Sequence, residues 1–213
     1  MRQSAVSFQA DSLNIEGIVA QPDNNEGDRP GVVICHPGPM NGGNMDNNVV
    51  MAVAGALVER GFAVLRFNFR GVGNSQGEHG RGEVEYQDAL AALEFLKGWS
   101  GVQHGKLGLA GYSFGTGVIL RSAELHKEPM AFGFVSPSLQ SLQNSPLKTD
   151  DRPKFIITGD RDRLAPSPEF HPTLDSFTHS PSCQVIEGAD HFWVGREAEM
   201  SNLVGDFFAK HLN

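Results

Sequence analysis

Hydrophobic and polar positions along the chain fall into blocks of two alternating periods. Ala5 to Phe8 and Leu13 to Ala20 carry short strand-like runs joined at Ala10-Asp11, which predicts an antiparallel opening hairpin. A polar loop follows from Gln21 to Pro30. Gly31 to Cys35 is then a continuous apolar run of the kind a parallel sheet buries on both faces. Asn47 to Arg60 sets Val50, Val53, Ala54, Leu57 and Val58 at helical spacing, with Gly61 as the C-terminal cap. Phe62 to Phe69 predicts the next strand. The alternation repeats with a helix from Glu83 to Lys97, whose Tyr86, Ala89, Leu90, Leu93 and Leu96 share one face, and a strand from Lys106 to Tyr112. A helix from Phe114 to His126 and strands from Met130 to Val135 and from Lys154 to Thr158 come next. A helix from Pro168 to Phe177, a strand from Gln184 to Glu187 and a last helix carrying Met200, Leu203, Val204, Phe207 and Phe208 complete the pattern. Repeated β-α units after an antiparallel start predict an α/β fold: a mostly parallel sheet of about eight strands with helices on both faces.

Composition narrows the class. A chain of 213 residues suffices for one sizeable core and is short for two independent enzyme domains, so a single domain over 1–213 is expected. A net charge of −8 and the lack of any basic run argue against a nucleic acid or polyphosphate partner. Met1 to Gly17 has no apolar stretch of signal-peptide length, and the longest apolar run, Met51 to Val58, is far short of a membrane span. The expectation is a soluble, cytoplasmic protein with no membrane partner. Cys35 and Cys183, the two cysteines, both lie in apolar strand-like segments and read as reduced, buried thiols.

In such a sheet ligands bind beyond the carboxyl ends of the strands, so the residues just after each strand carry the chemistry. The stretch Leu107 to Gly117 ends an apolar run in Gly111-Tyr112-Ser113-Phe114-Gly115 and continues into a helix. Small residues two before and two after a serine permit a sharp, strained turn that stands its hydroxyl clear of the sheet. The helix then points its N-terminal amides at the same spot, where developing negative charge is stabilised. Asp160 and Asp162 follow the fifth parallel strand, and His191 follows the last. A serine hydroxyl needs a base within hydrogen-bond reach, itself held by a carboxylate, and the chain supplies them in the order serine, acid, histidine. Asp150 and Asp151 precede their strand and sit on the wrong edge. His36 is the one rival base; His79, His104, His126, His171, His179 and His211 fall in polar loops or helix ends and are expected to be solvated. Asp190 is expected to cap the last helix, and Cys35 lies inside its strand, away from the end where a nucleophile is needed.

Five segments carry a family likeness: C-H-P-G-P-M-N-G-G-N-M-D-N (35–47), L-R-F-N-F-R-G-V-G-N-S-Q-G-E (65–78), A-G-Y-S-F-G (110–115), G-D-R-D (159–162) and G-A-D-H-F (188–192). In their order and spacing the chain resembles the α/β-hydrolase superfamily, and more closely the small, lidless serine hydrolases related to dienelactone hydrolase. The resemblance implies that Ser113, Asp162 and His191 form a catalytic triad, the acid falling three residues after the glycine at Asp162, with Asp160 left to capping or packing. It gives His36 a role in shaping its loop. It also implies two backbone N–H donors for an oxyanion: Phe114, directly after the nucleophile, and one from the loop after the first parallel strand. Pro37 and Pro39 have no N–H, which leaves Gly38 first and Met40 second.

The implied function is a serine hydrolase that cleaves carboxylic esters through an acyl-enzyme, acting on a small-molecule ester or acyl substrate with no metal or organic cofactor. Thioester or amide cleavage uses the same machinery, and a non-catalytic ligand-binding protein on this fold is the rival from another class. Gly71, Gly73 and Gly77 do not make a dinucleotide turn, and neither a P-loop nor an H-E-x-x-H motif occurs. Arg66 and Arg70 are expected to pair with acids. Only Pro137 to Pro153 joins the fourth parallel strand to the acid-bearing one, which predicts a loop there, no cap domain and an open site.

Overall fold

The computed structural model describes residues 1–23, 27–164 and 167–213. The opening hairpin is longer than its apolar pattern predicts: β1 (Arg2–Ala10) and β2 (Leu13–Gln21) pair in full antiparallel register from Arg2↔Gln21 to Ala10↔Leu13. Asp11, at φ 53°, makes the turn. β1 is an edge strand with one wet face, so the polar residues at its outer end hide its length. The predicted loop from Gln21 to Pro30 falls partly on residues 24–26, outside the described residues, and β3 (Arg29–Cys35) already begins within it.

The other strands are β4 (Ala63–Phe67), β5 (Val102–Tyr112), β6 (Ala131–Val135), β7 (Lys154–Gly159) and β8 (Ser182–Ile186). They form one eight-stranded sheet in the order β1-β2-β4-β3-β5-β6-β7-β8. The β1–β2 and β2–β4 pairs are antiparallel, and all later pairs are parallel. Along β3 the side chains alternate between faces, as strand geometry requires. Val32 and Ile34 pack with Val49, Val53 and Leu57 of α1 (Asn48–Glu59) and with Val204 and Phe208 of α6 (Glu197–Leu212). Val33 packs on the other face with Leu93 and Leu96 of α2 (Glu85–Lys97) and Ile119 of α3 (Phe114–Arg121). The same face takes α4 (Leu139–Gln143) and α5 (Ser167–Asp175) through Leu142, Phe170 and Leu174.

Strand bounds shift by a few residues, β5 beginning at Val102 instead of Lys106, and two further segments differ in kind. The helix expected from Phe114 to His126 stops at Arg121: Ser122 is extended, and a 3-10 turn, Ala123–His126, follows. That turn carries His126 inward, where its Nε2–H donates to the Ile119 carbonyl at 2.7 Å. His126 is therefore buried and not solvated: the turn lays it against the end of α3, where the Ile119 carbonyl accepts from both the Ser122 N–H and the imidazole. The segment between β6 and β7 is not a plain loop: it holds α4 and a 3-10 turn, Pro146–Thr149, each capped by a serine side chain. The eighteen residues 136–153 lie against the sheet face and build no cap domain.

Phe208 shows how closely the sheet is packed. A Cβ at Gly108 of β5 would stand 2.6 Å from its ring, and one at Gly133 of β6 2.8 Å, so two neighbouring strands leave side chains out to admit it. Phe208→Ala is expected to cost about 3–5 kcal/mol of stability, read as a drop in the urea midpoint with an unchanged slope.

Candidate active site

Ser113 sits between β5 and α3 with φ 51° and ψ −110°, a left-handed conformation that L-residues rarely adopt. Its N–H still donates to the Val135 carbonyl at 2.9 Å, and its carbonyl accepts from Thr116 N–H at 3.0 Å, so the turn is fixed from both sides. The flanking glycines are required by close approach. A Cβ at Gly115 would stand 2.7 Å from the Cys35 carbonyl carbon of β3, and one at Gly111 2.7 Å from Thr116 N. The helix thus starts directly over the strand ends, with the serine at the apex.

Asp162 and His191 arrive from the ends of β7 and β8. Their loops are tied together by Asp160 N–H to the Ile186 carbonyl (3.1 Å), Arg161 N–H to the Ala189 carbonyl (3.0 Å) and Gly188 N–H to Asp160 Oδ1 (2.7 Å). Asp160 is therefore a loop clamp, and Asp162 reaches the histidine: His191 Nδ1 lies 2.9 Å from Asp162 Oδ2. His191 Nε2 lies 2.9 Å from Ser113 Oγ. Three side chains from three strand ends make one continuous hydrogen-bonded chain. The Tyr112 hydroxyl donates to the His191 carbonyl at 2.7 Å, and Asn48 Nδ2 donates to the Phe192 carbonyl at 3.1 Å, which hold the histidine loop from two sides. Asp190 does not cap the last helix. Its Oδ1 accepts from Phe192 N–H (2.9 Å) and Trp193 N–H (3.2 Å), so it closes the turn on which His191 stands.

A sequence model described as an alpha/beta hydrolase domain matches residues 29–204. The chain belongs to the alpha/beta hydrolase family. An uncharacterized protein of Rickettsia prowazekii is 31% identical over 210 residues, 95% of this chain and 87% of that one. An alpha-beta serine hydrolase homologue from Coxiella burnetii superposes with a TM-score of 0.85 at 30% identity, covering 97% of each chain. A serine hydrolase without lid from Xanthomonas campestris superposes with a TM-score of 0.86 at 27% identity, covering 100% of this chain and 96% of that one. Among the described residues no helix is long and apolar enough to cross a membrane.

The electrostatics of this site follow from burial and hydrogen bonding. Burial alone lifts the Asp162 carboxyl, but hydrogen bonds from His191, Ser136 and the Leu164 N–H (2.9 Å) outweigh it and hold the group below the usual carboxylate value. Asp162 is 2% exposed, so an ionised carboxylate faces His191 in a dry setting. The Cys35 thiol is buried beneath Gly115, and burial pushes its pKa up, which makes it inert.

The two expected oxyanion donors come together. A Cβ at Gly38 would lie 3.7 Å from Phe114 Cβ, which sets the loop after β3 directly against the start of α3. The Gly38 carbonyl accepts from Asn41 N–H (3.1 Å) and Gly43 N–H (3.0 Å), while among the described residues the N–H groups of Gly38 and Phe114 have no acceptor. Met40 is 75% exposed in the 3-10 turn beyond.

His36 does not join this chemistry. Its Nδ1–H donates to the Pro37 carbonyl at 2.7 Å, and its Nε2 accepts from Phe69 N–H at 3.1 Å, so it pins the loop after β3 to the end of β4. Burial lowers its pKa to about 4, which keeps the ring neutral and able to accept. His79, expected to be solvated, instead hydrogen-bonds Glu85 and packs its ring 5.4 Å from that of Phe114. Glu85 is fully buried at the start of α2 and also accepts from Gly80 N–H (2.7 Å) and Gly82 N–H (2.8 Å). Arg66 pairs with Asp46, and Arg70 grips Asp88 through Nε (3.0 Å) and Nη2 (2.7 Å), as expected of structural cations.

Glu85 predicts a pH dependence. Burial raises its pKa, but the backbone N–H donors and His79 more than offset this and leave it below the ordinary value. A depressed carboxylate adds stability above its unfolded pKa, about 4.3, and loses it as pH falls through the folded value. Glu85→Gln is expected to lose about 1–3 kcal/mol at pH 7 and to converge on wild type only as pH falls through the lowered folded value of the carboxyl, measured by urea unfolding across pH.

Proposed function

We propose that this protein is a serine hydrolase that cleaves carboxylic esters through an acyl-enzyme. The reading rests on the unbroken hydrogen-bonded chain from Ser113 through His191 to Asp162, 2.9 Å at each link, with the serine held at φ 51°. In this reading Ser113 Oγ attacks the ester carbonyl carbon while His191 Nε2 takes its proton. Asp162 keeps the His191 Nδ1 protonated, which leaves Nε2 free to accept, and stabilises the imidazolium. The tetrahedral oxyanion takes the N–H groups of Phe114 and Gly38, and the dipole of α3 adds to them. His191 then returns its proton to the leaving alcohol oxygen. Water, deprotonated by the same imidazole, hydrolyses the acyl-enzyme and frees Ser113.

Every proton in the cycle moves between groups of this chain, substrate and water, so the reaction needs neither metal nor organic cofactor. Four large apolar side chains stand exposed in the loops around the triad: Met40, Leu164, Phe192 and Val194. With no cap to cover them, they offer apolar contact to the acyl or alcohol group of a small ester. Thioesters and amides meet the same nucleophile. A protein that only bound ligands would gain nothing from a strained, hydrogen-bonded serine, and the triad geometry therefore favours turnover.

Exposure of the intact protein to a fluorophosphonate is expected to add one phosphonyl group at Ser113, seen by mass spectrometry of the mapped peptide and abolished by His191→Ala. Ser113→Ala is expected to fold normally and lose ester turnover on the order of 10⁶-fold; near wild-type activity in that variant would sink the proposal. The second donor has its own test. Gly38 has φ −55° and ψ 117°, a backbone that proline adopts, and a Cβ there meets nothing closer than 3.7 Å. Gly38→Ala is expected to be active, whereas Gly38→Pro, which lacks the N–H, is expected to lose about 10²–10³ in kcat. Equal rates for the two would move the donor to Met40.

A further inference from the structure

Two buried residues beside the triad acid hold left-handed backbone conformations without being glycine: Ser136 at φ 49° and Trp193 at φ 63°. Ser136 is 1% exposed and Trp193 0%. Ser136 follows the last residue of β6, and its N–H donates to the Ile157 carbonyl of β7 at 2.8 Å, so the ladder holds a residue that has left the strand conformation. Trp193 stands two residues after His191, on the turn closed by Asp190. Strain at two such positions persists only where the surroundings enforce it.

The side chains form a directed relay. Trp193 Nε1 lies 3.0 Å from Ser136 Oγ, and an indole N–H can only donate, so the serine oxygen accepts there. The single hydroxyl proton of Ser136 is left for its second partner, the carboxylate of Asp162, which in its ionised form can only accept. Asp162 thus accepts from Leu164 N–H on Oδ1 and from His191 Nδ1–H on Oδ2, and the Ser136 hydroxyl adds to them in favouring the ionised carboxylate. Since Trp193 and His191 share one turn, the relay closes a ring through three strand-end segments. Any rotation of the Asp162 carboxylate away from His191 also changes its setting against the Ser136 hydroxyl, and any shift of the histidine turn pulls on the indole.

We infer that Ser136, aimed by the Trp193 indole N–H, is a positioning residue that fixes the Asp162 carboxylate against His191. Packing alone does not call for this arrangement. A glycine relieves the φ at 136 and a phenylalanine fills the space of the indole, yet both discard a buried polar group that here has a partner at each end. The inference rests on the proposed roles of Ser113, His191 and Asp162, and the pair adds no group that touches substrate.

Three variants test it. Ser136→Gly removes the hydroxyl and suits the backbone, Ser136→Ala removes it at the cost of the strain, and Trp193→Phe keeps the ring and removes the N–H. Each is measured for kcat and KM on p-nitrophenyl acetate, for thermal unfolding, and for the far-downfield proton resonance of the hydrogen bond between His191 Nδ1 and Asp162. Ser136→Gly is expected to melt close to wild type, to keep KM within about twofold, and to lose about 10–100-fold in kcat, with its downfield resonance moved or lost. Trp193→Phe is expected to show the same pattern more weakly. Wild-type kcat and an unmoved resonance in Ser136→Gly would overturn the inference. A resonance that moves in Ser136→Gly, in a protein whose wild type turns over no ester, would support the positioning role and remove only the proposed reaction.

Discussion

The close approach of α3 to the end of β3 is the constraint on which the site depends. Gly115 lies so near the Cys35 carbonyl that no side chain fits, and Gly111 lies as near the first turn of the helix. A helix can begin that close to a strand only if the joining residue turns sharply, and Ser113 makes the turn at φ 51°. The strain has two effects. It sets the hydroxyl 2.9 Å from His191 Nε2, and it leaves the N–H of the next residue, Phe114, with no internal acceptor among the described residues. One local conformation therefore sets the place of both the proposed nucleophile and the proposed oxyanion donor.

The remaining groups reach that point because the sheet is parallel there. β3, β5, β6, β7 and β8 all end at one edge, so every loop that follows them opens on the same region. The loops are then fixed to one another and not only to their own strands. His36 joins the loop after β3 to the end of β4, Asp160 joins the β7 and β8 loops, and Glu85 anchors the segment that lays His79 against Phe114. Distances of 2.9 Å between side chains 78 and 29 residues apart are the outcome of such ties.

Much of this was legible in the chain. The helical faces at Val50 to Val58 and Ala89 to Leu96, the continuous run of β3 and the antiparallel start predict the layers, and the residues at strand ends predict which side chains meet. What stayed hidden depends on contacts without period or spacing. His79 and His126 look like loop histidines because burial by a turn is not written in their neighbours. Asp190 looks like a helix cap because α6 follows, yet Trp193 at φ 63° turns the chain first. Ser136 and Trp193 lie 57 residues apart, on different strand ends, and nothing local to either announces the other. The positive φ at Ser136 is the one signal, and only backbone geometry shows it.

The lack of a cap raises the question of how an open site keeps its electrostatics from being screened. In this fold the protection lies behind the histidine. Asp162, Ser136 and Trp193 are 2%, 1% and 0% exposed, and the His191 side chain is 14% exposed. The Nδ1 side of the imidazole therefore faces a dry, hydrogen-bonded carboxylate, while the Nε2 side faces Ser113. A charge pair in such surroundings is stronger than in water, and its donors do not reorganise when the imidazole gains a proton. A lid would exclude water from the substrate side, which the proposed ester hydrolysis does not need. The sheet already excludes it from the side where the imidazolium must be stabilised.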